Sequence, residues 1–167
     1  MSELLWLEWL ARIELSPVST AIREVWWVFP SVLVMHSLSM AMMAGFGVVI
    51  CTRAMGFVTS LPMVTLNRFM PLFWAGLAAA ALSGLILLTA YPAKALTNPL
   101  FYIKLLMLSA TAWICLQLIK SRLLPPSQNR LAVLGLCGWV SVIFAGRFLA
   151  YTHSVLMASW LVSPTGG

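Results

Sequence analysis

Three basic side chains set in apolar surroundings, His36, Lys104 and Arg147, are the residues whose types and positions bear on chemistry. No charge occurs between Val25 and Thr52, and His36 stands inside that run. An ionisable side chain within an apolar run long enough to cross a bilayer is a functional-site candidate. At 1.5 Å rise per residue, His36 lies about 9 Å beyond Pro30, and Lys104 about 7.5 Å beyond Pro99. Arg147 lies about 6 Å before Tyr151 on the same rise. The three therefore share one layer near one membrane face. Glu24 is the last acid in the chain, so no carboxylate can neutralise them. Like charges in hydrocarbon repel and are expensive, so an anionic or electron-accepting group is expected there. A b-type haem fits, with His36 on the iron and Arg147 on a propionate. A lipid or quinone head group also fits. Against these stands a plain structural reading. Lys104 and Arg147 can snorkel to the interface, and a neutral His36 can bond a neighbouring Ser or a backbone carbonyl.

A softer set overlaps the first. Met40 and Met43 follow His36 on the same helical face, with Met35 and Met42 adjacent. Imidazole and thioether suit Cu(I), although a methionine stripe also serves packing. Cys51, Cys115 and Cys137 fall toward the opposite ends of their helices. They have no metal-site spacing and read first as small buried hydrophobes, with the exit of a soft-metal path as the alternative. His153 sits past the end of the last apolar run, outside the layer of His36. No nucleophile–base pair, phosphate loop, HExxH motif or carboxylate dyad occurs, which removes the hydrolase readings.

The elements that must position these residues follow from composition. Of 167 residues, 62% are hydrophobic and 8% charged. Soluble domains carry about 25% charged residues, so the composition is that of a membrane protein. The expected fold is all-α, a single four-transmembrane-helix bundle with spans at about 29–52, 70–91, 99–119 and 131–151. Residues 3–15 read as an N-terminal amphipathic interfacial helix, supported by the Glu8/Arg12 spacing and Trp-rich apolar positions. Ser16 and Pro17 supply an N-cap and first-turn proline for a second short helix. Pro30 either kinks the helix that follows or begins the span. Gly76, Ala80 and Gly84 form a small-residue seam on the second span, and Gly138, Ser141 and Ala145 one on the fourth.

The net charge of +6 comes from ten Lys and Arg against four acids, with the bases gathered near span ends. That pattern serves topology and lipid, not nucleic acid. Arg53, Arg68, Lys120, Arg122 and Arg130 flank two of the loops. The positive-inside rule then places both termini outside, in a bacterial inner membrane. No cleavable leader is read at the N-terminus.

His36, Gly45, Gly47 and Arg53 in the first span, "NPLFYIKLLML" opening the third and "AGRFLAY" in the fourth together resemble an uncharacterised family of four-helix bacterial membrane proteins. More distantly, the chain is similar to the four-helix protoporphyrinogen oxidase type, a haem protein, and to copper-resistance D-type membrane domains. The oxidase-type resemblance implies His36 as a haem ligand and Lys104 as second ligand or active-site cation. Three functions are therefore carried forward. The first is a haem b protein with an electron-transfer or redox-subunit role. The second is copper handling along His36, Met40 and Met43. The third is a cofactor-free accessory subunit that docks on a larger membrane complex or on its own copies.

Overall fold

The computed structural model describes residues 9–120 and 125–151. Among them the regular structure is entirely helical. Residues 9–14 are helical, and seven further helices follow. We label them α1 (Pro17–Glu24), α2 (Val28–Ala54), α3 (Met63–Arg68), α4 (Met70–Ala90), α5 (Pro92–Leu96), α6 (Pro99–Lys120) and α7 (Pro125–Tyr151). Four of these, α2, α4, α6 and 128–149 of α7, are long and apolar enough to cross a membrane. The fold is therefore an all-α bundle of four candidate membrane spans. The spans begin and end close to the expected positions, except that α7 starts at Pro125, some residues earlier than the apolar run alone suggests.

Local chemistry explains the boundaries. Ser16 accepts from the Ser19 N–H at 3.3 Å and caps α1, with Pro17 in its first turn. Pro30 lies in the first turn of α2, which begins at Val28. There the missing N–H would have had no helical partner, so Pro30 starts the span without breaking it. Asn98 Oδ1 accepts from Leu100 N–H at 2.9 Å and opens α6. At its other end α2 closes on Gly56, whose φ of +88° is left-handed. The Gly56 N–H bonds the Arg53 carbonyl and the Phe57 N–H bonds that of Thr52, both at 3.1 Å, which is the Schellman pattern. Arg53 Nε then donates to the Leu61 carbonyl and holds the following loop against the helix.

In the packing, α4 lies along α2, α6 lies along α7, and α2 and α7 meet between them; α2 also touches α6. Small residues make these approaches possible. A Cβ on Gly76 would stand 3.0 Å from Met42 Cε and 3.3 Å from the Ser39 carbonyl. On Gly138 it would stand 2.4 Å from Thr111 Oγ1, and on Gly47 2.1 Å from Trp139 Nε1. Without a hydrophobic force between helices in lipid, such close backbone contact is what holds spans together. The buried cluster includes Met43, Cys51, Phe73, Cys115, Leu118 and Trp139. Leu38, Leu106, Leu134 and Phe148 point outward, as lipid-facing positions do.

The N-terminal segment is tied to one end of this bundle. Arg23 Nη1 and Ser19 Oγ both donate to the Ala90 carbonyl, at 3.0 and 3.2 Å. Arg23 Nη2 donates to the Glu14 carbonyl at 2.8 Å, and Arg23 lies 3.6 Å from the Glu14 carboxylate. A cation at the C-terminus of α4 also meets the negative end of that helix. Trp26 and Trp27 remain exposed beside it.

Candidate functional site

The seam on α4 is what seats His36. Gly76, Ala80 and Gly84 recur at four-residue intervals, so one stripe of α4 lacks bulk and α2 can lie against it. His36 is half-buried there. Its Nδ1 is 3.1 Å from the Ala80 carbonyl and 3.0 Å from Ser83 Oγ. A carbonyl can only accept, so Nδ1 carries the proton and donates it. Ser83 Oγ is occupied as a donor to the Ala79 carbonyl at 2.6 Å, which leaves its lone pairs to receive the imidazole. Gly84 flanks the ring edge, where a Cβ would lie 3.3 Å from His36 Cε1. The imidazole is thus pinned by one nitrogen, and the neutral ring keeps its basic lone pair on Nε2.

Lys104 arrives from α6. It is partly buried. Its Cε and Nζ lie over Gly146 of α7, each 3.7 Å from where a Cβ would be. That is ordinary van der Waals distance, so a methyl group at position 146 would touch the lysine without displacing it. Arg147, the next residue, is exposed. His36 on α2 is seated against α4, Lys104 on α6 lies against α7, and Arg147 is exposed on α7. His153 lies outside the described residues.

The soft set behaves differently. Met43 is fully buried in the apolar cluster, Met40 packs against that cluster, and Met42 covers Gly76. These thioethers fill space between helices. Among the described residues, no group of three or more His, Cys, Asp or Glu stands together. A groove of about 530 Å³ runs along α2, lined by Pro30, Val34, Met35, Leu38 and Met42 among others; His36 is not one of its walls.

The sequence allows a serine or carbonyl partner for His36 without saying which. Ser83 was the available signal, a hydroxyl inside the small-residue seam one position before Gly84. Gly146 gave none, because a glycine that packs against a lysine looks like any other until the two helices are paired. Fold and site together define an all-α bundle of four membrane-type spans with a histidine anchored between two of them. No protein-family model, curated protein or solved structure matches this chain.

Proposed function

We propose that the protein is a multi-pass membrane protein that binds one b-type haem beside His36 and serves in electron transfer, as a redox subunit or carrier. One observation carries the reading. The Nδ1–H of His36 is given to a backbone carbonyl and a serine, the outer arrangement by which metal-binding histidines fix their tautomer and aim the other nitrogen. A histidine bonded only to glue two helices together would gain the same contact. It would not need the glycine that leaves its ring edge uncrowded.

The residues present fit the group. His36 Nε2 would bind the iron, with the ring anchored on α4 through Ala80 and Ser83. Lys104 is the charge partner for a propionate, since an ammonium has three donors and no lone pair to offer iron. Arg147, exposed on α7, would hold a propionate at the interface, where planar donors suit carboxylates. A bound b-type haem supplies a one-electron ferric–ferrous couple. The protein's own part is to orient the ligand, exclude water with the apolar walls of α2 and α4, and offset anionic charge.

The site is assigned to the outer leaflet of a bacterial inner membrane, with both termini outside, from the distribution of basic residues. Residues 9–14 and α1, clasped to the end of α4 by Arg23, lie in the head-group layer. Haem titration into the detergent-purified protein tests the reading. One haem per chain is expected for the wild type and none retained by His36→Ala. Equal retention by both would overturn the assignment of His36.

A further inference from the structure

A second cluster, near the opposite ends of the same helices, is left unused by the haem reading. Cys51 of α2 and Cys115 of α6 are free thiols, both fully buried. The carbonyl of Gly47, one turn before Cys51 on α2, is turned toward Cys115 Sγ, which sets the two cysteines in the same region between α2 and α6. Trp139 Nε1–H, from α7, donates to Cys115 Sγ at 3.2 Å, and Cys115 Sγ lies 3.9 Å from the Gly47 carbonyl. Two glycines clear the space. A Cβ on Gly135 would come within 2.8 Å of Cys51 Sγ, and one on Gly47 within 2.1 Å of the Trp139 indole nitrogen. Gly47 and Cys51 are one turn apart on α2, as Gly135 and Trp139 are on α7. Three helices therefore hold two sulfurs and one N–H in a single layer.

One buried cysteine is ordinarily a small hydrophobe. Two that face each other across helices, with an indole N–H directed at one, have the parts of a ligand pair and its outer hydrogen bond. The thiolate is the metal-binding form of cysteine, and sulfur ligands select soft cations such as Cu(I). Charge also limits what the site can take, because an apolar interior disfavours any net charge. We propose that Cys51 and Cys115 form a two-sulfur site for Cu(I), with Trp139 as its positioning residue. Uptake is balanced as one Cu(I) and two thiols giving a thiolate–copper–thiol unit and one released proton, so the site stays neutral. The approach from water is short. Cys51 stands about 4.5 Å of helix rise from the end of α2, and Cys115 about 7.5 Å from that of α6. This site shares no residue with the haem reading, nor with a copper route through His36, Met40 and Met43.

The test is anaerobic Cu(I) competition between a chromophoric chelator and the full chain in detergent. The wild type is expected to retain one Cu(I), and Cys51→Ala and Cys115→Ala to lose it. Trp139→Phe should weaken retention by about 10- to 100-fold, the usual effect of removing an outer-shell partner. Cys137→Ser, His36→Ala and Met40→Leu/Met43→Leu should retain the ion. X-ray absorption on the wild-type copper complex keeps the test independent of whether variants fold, and sulfur-only scattering is expected. A nitrogen-containing shell, no retained copper, or loss only in the methionine variant would overturn the proposal.

Discussion

His36 shows how one residue type carries two meanings that only its hydrogen bonds separate. A lone histidine in a span is equally at home as a ligand and as glue between helices. Its Nδ1 is engaged by Ala80 and Ser83, and the other nitrogen is the one a metal would meet. On the haem reading Ser83 is a positioning residue. With Ser83→Ala the Ala80 carbonyl still accepts the proton, so haem should remain bound. Its affinity should fall toward the low end of the 10- to 100-fold range typical of second-layer histidine partners. Haem titration of that variant measures it, and an unchanged affinity would show that the carbonyl alone fixes the ring. Lys104 and Arg147 differ in a way that helix counting did not resolve. Rise along the axis places both at the right depth. Whether a side chain faces the bundle or the lipid depends on how α7 is rotated against α6, and only packing determines that. Lys104 is drawn in over Gly146, and Arg147 is left outside.

The helices themselves were largely legible, because apolar length and capping chemistry act locally. Ser16 and Pro17 start α1, Asn98 and Pro99 start α6, and runs of apolar residues give the four spans. The short helices α3 and α5 are too brief to carry any periodic signal in the sequence. Glycine roles divide sharply at this scale. Gly47 lies beneath the Trp139 indole, whereas a Cβ on Gly45 would meet nothing within 4 Å. Gly47→Ala should therefore destabilise the bundle by about 1–3 kcal/mol through overpacking. Gly45→Ala, two residues away, should be neutral or slightly stabilising. Reversible unfolding in mixed detergent micelles compares the two, and equal effects would mean that α2 and α7 do not meet as described. The cysteine pair belongs here too. Nothing in the spacing of Cys51 and Cys115 announces it, since the pairing arises from α2 and α6 crossing near α7.

For the whole molecule, the absence of acids after Glu24 is the organising fact. A bundle with bases and no carboxylates in its spans has to leave them at interfaces or offset them with something bound. The N-terminal clasp handles one such base internally, through Arg23, Glu14 and the Ala90 carbonyl. It also places α1 at the same end as His36 and Lys104, as the 5.7 Å contact between the Phe29 and Tyr91 rings does for α2 and α4. The proposed topology puts that end outside. A cysteine introduced as Lys94→Cys should then react with a membrane-impermeant thiol reagent in intact cells. One introduced as Arg68→Cys should react only after permeabilisation, and the reverse pattern would invert the bundle.

The central claim, that His36 holds haem iron through Nε2, is tested most directly by the visible absorption spectrum of the purified protein. The account predicts a Soret band in the wild type that disappears in His36→Ala while the variant keeps its helical circular dichroism. A folded wild-type preparation that is colourless and iron-free, even after incubation with haem, would contradict it.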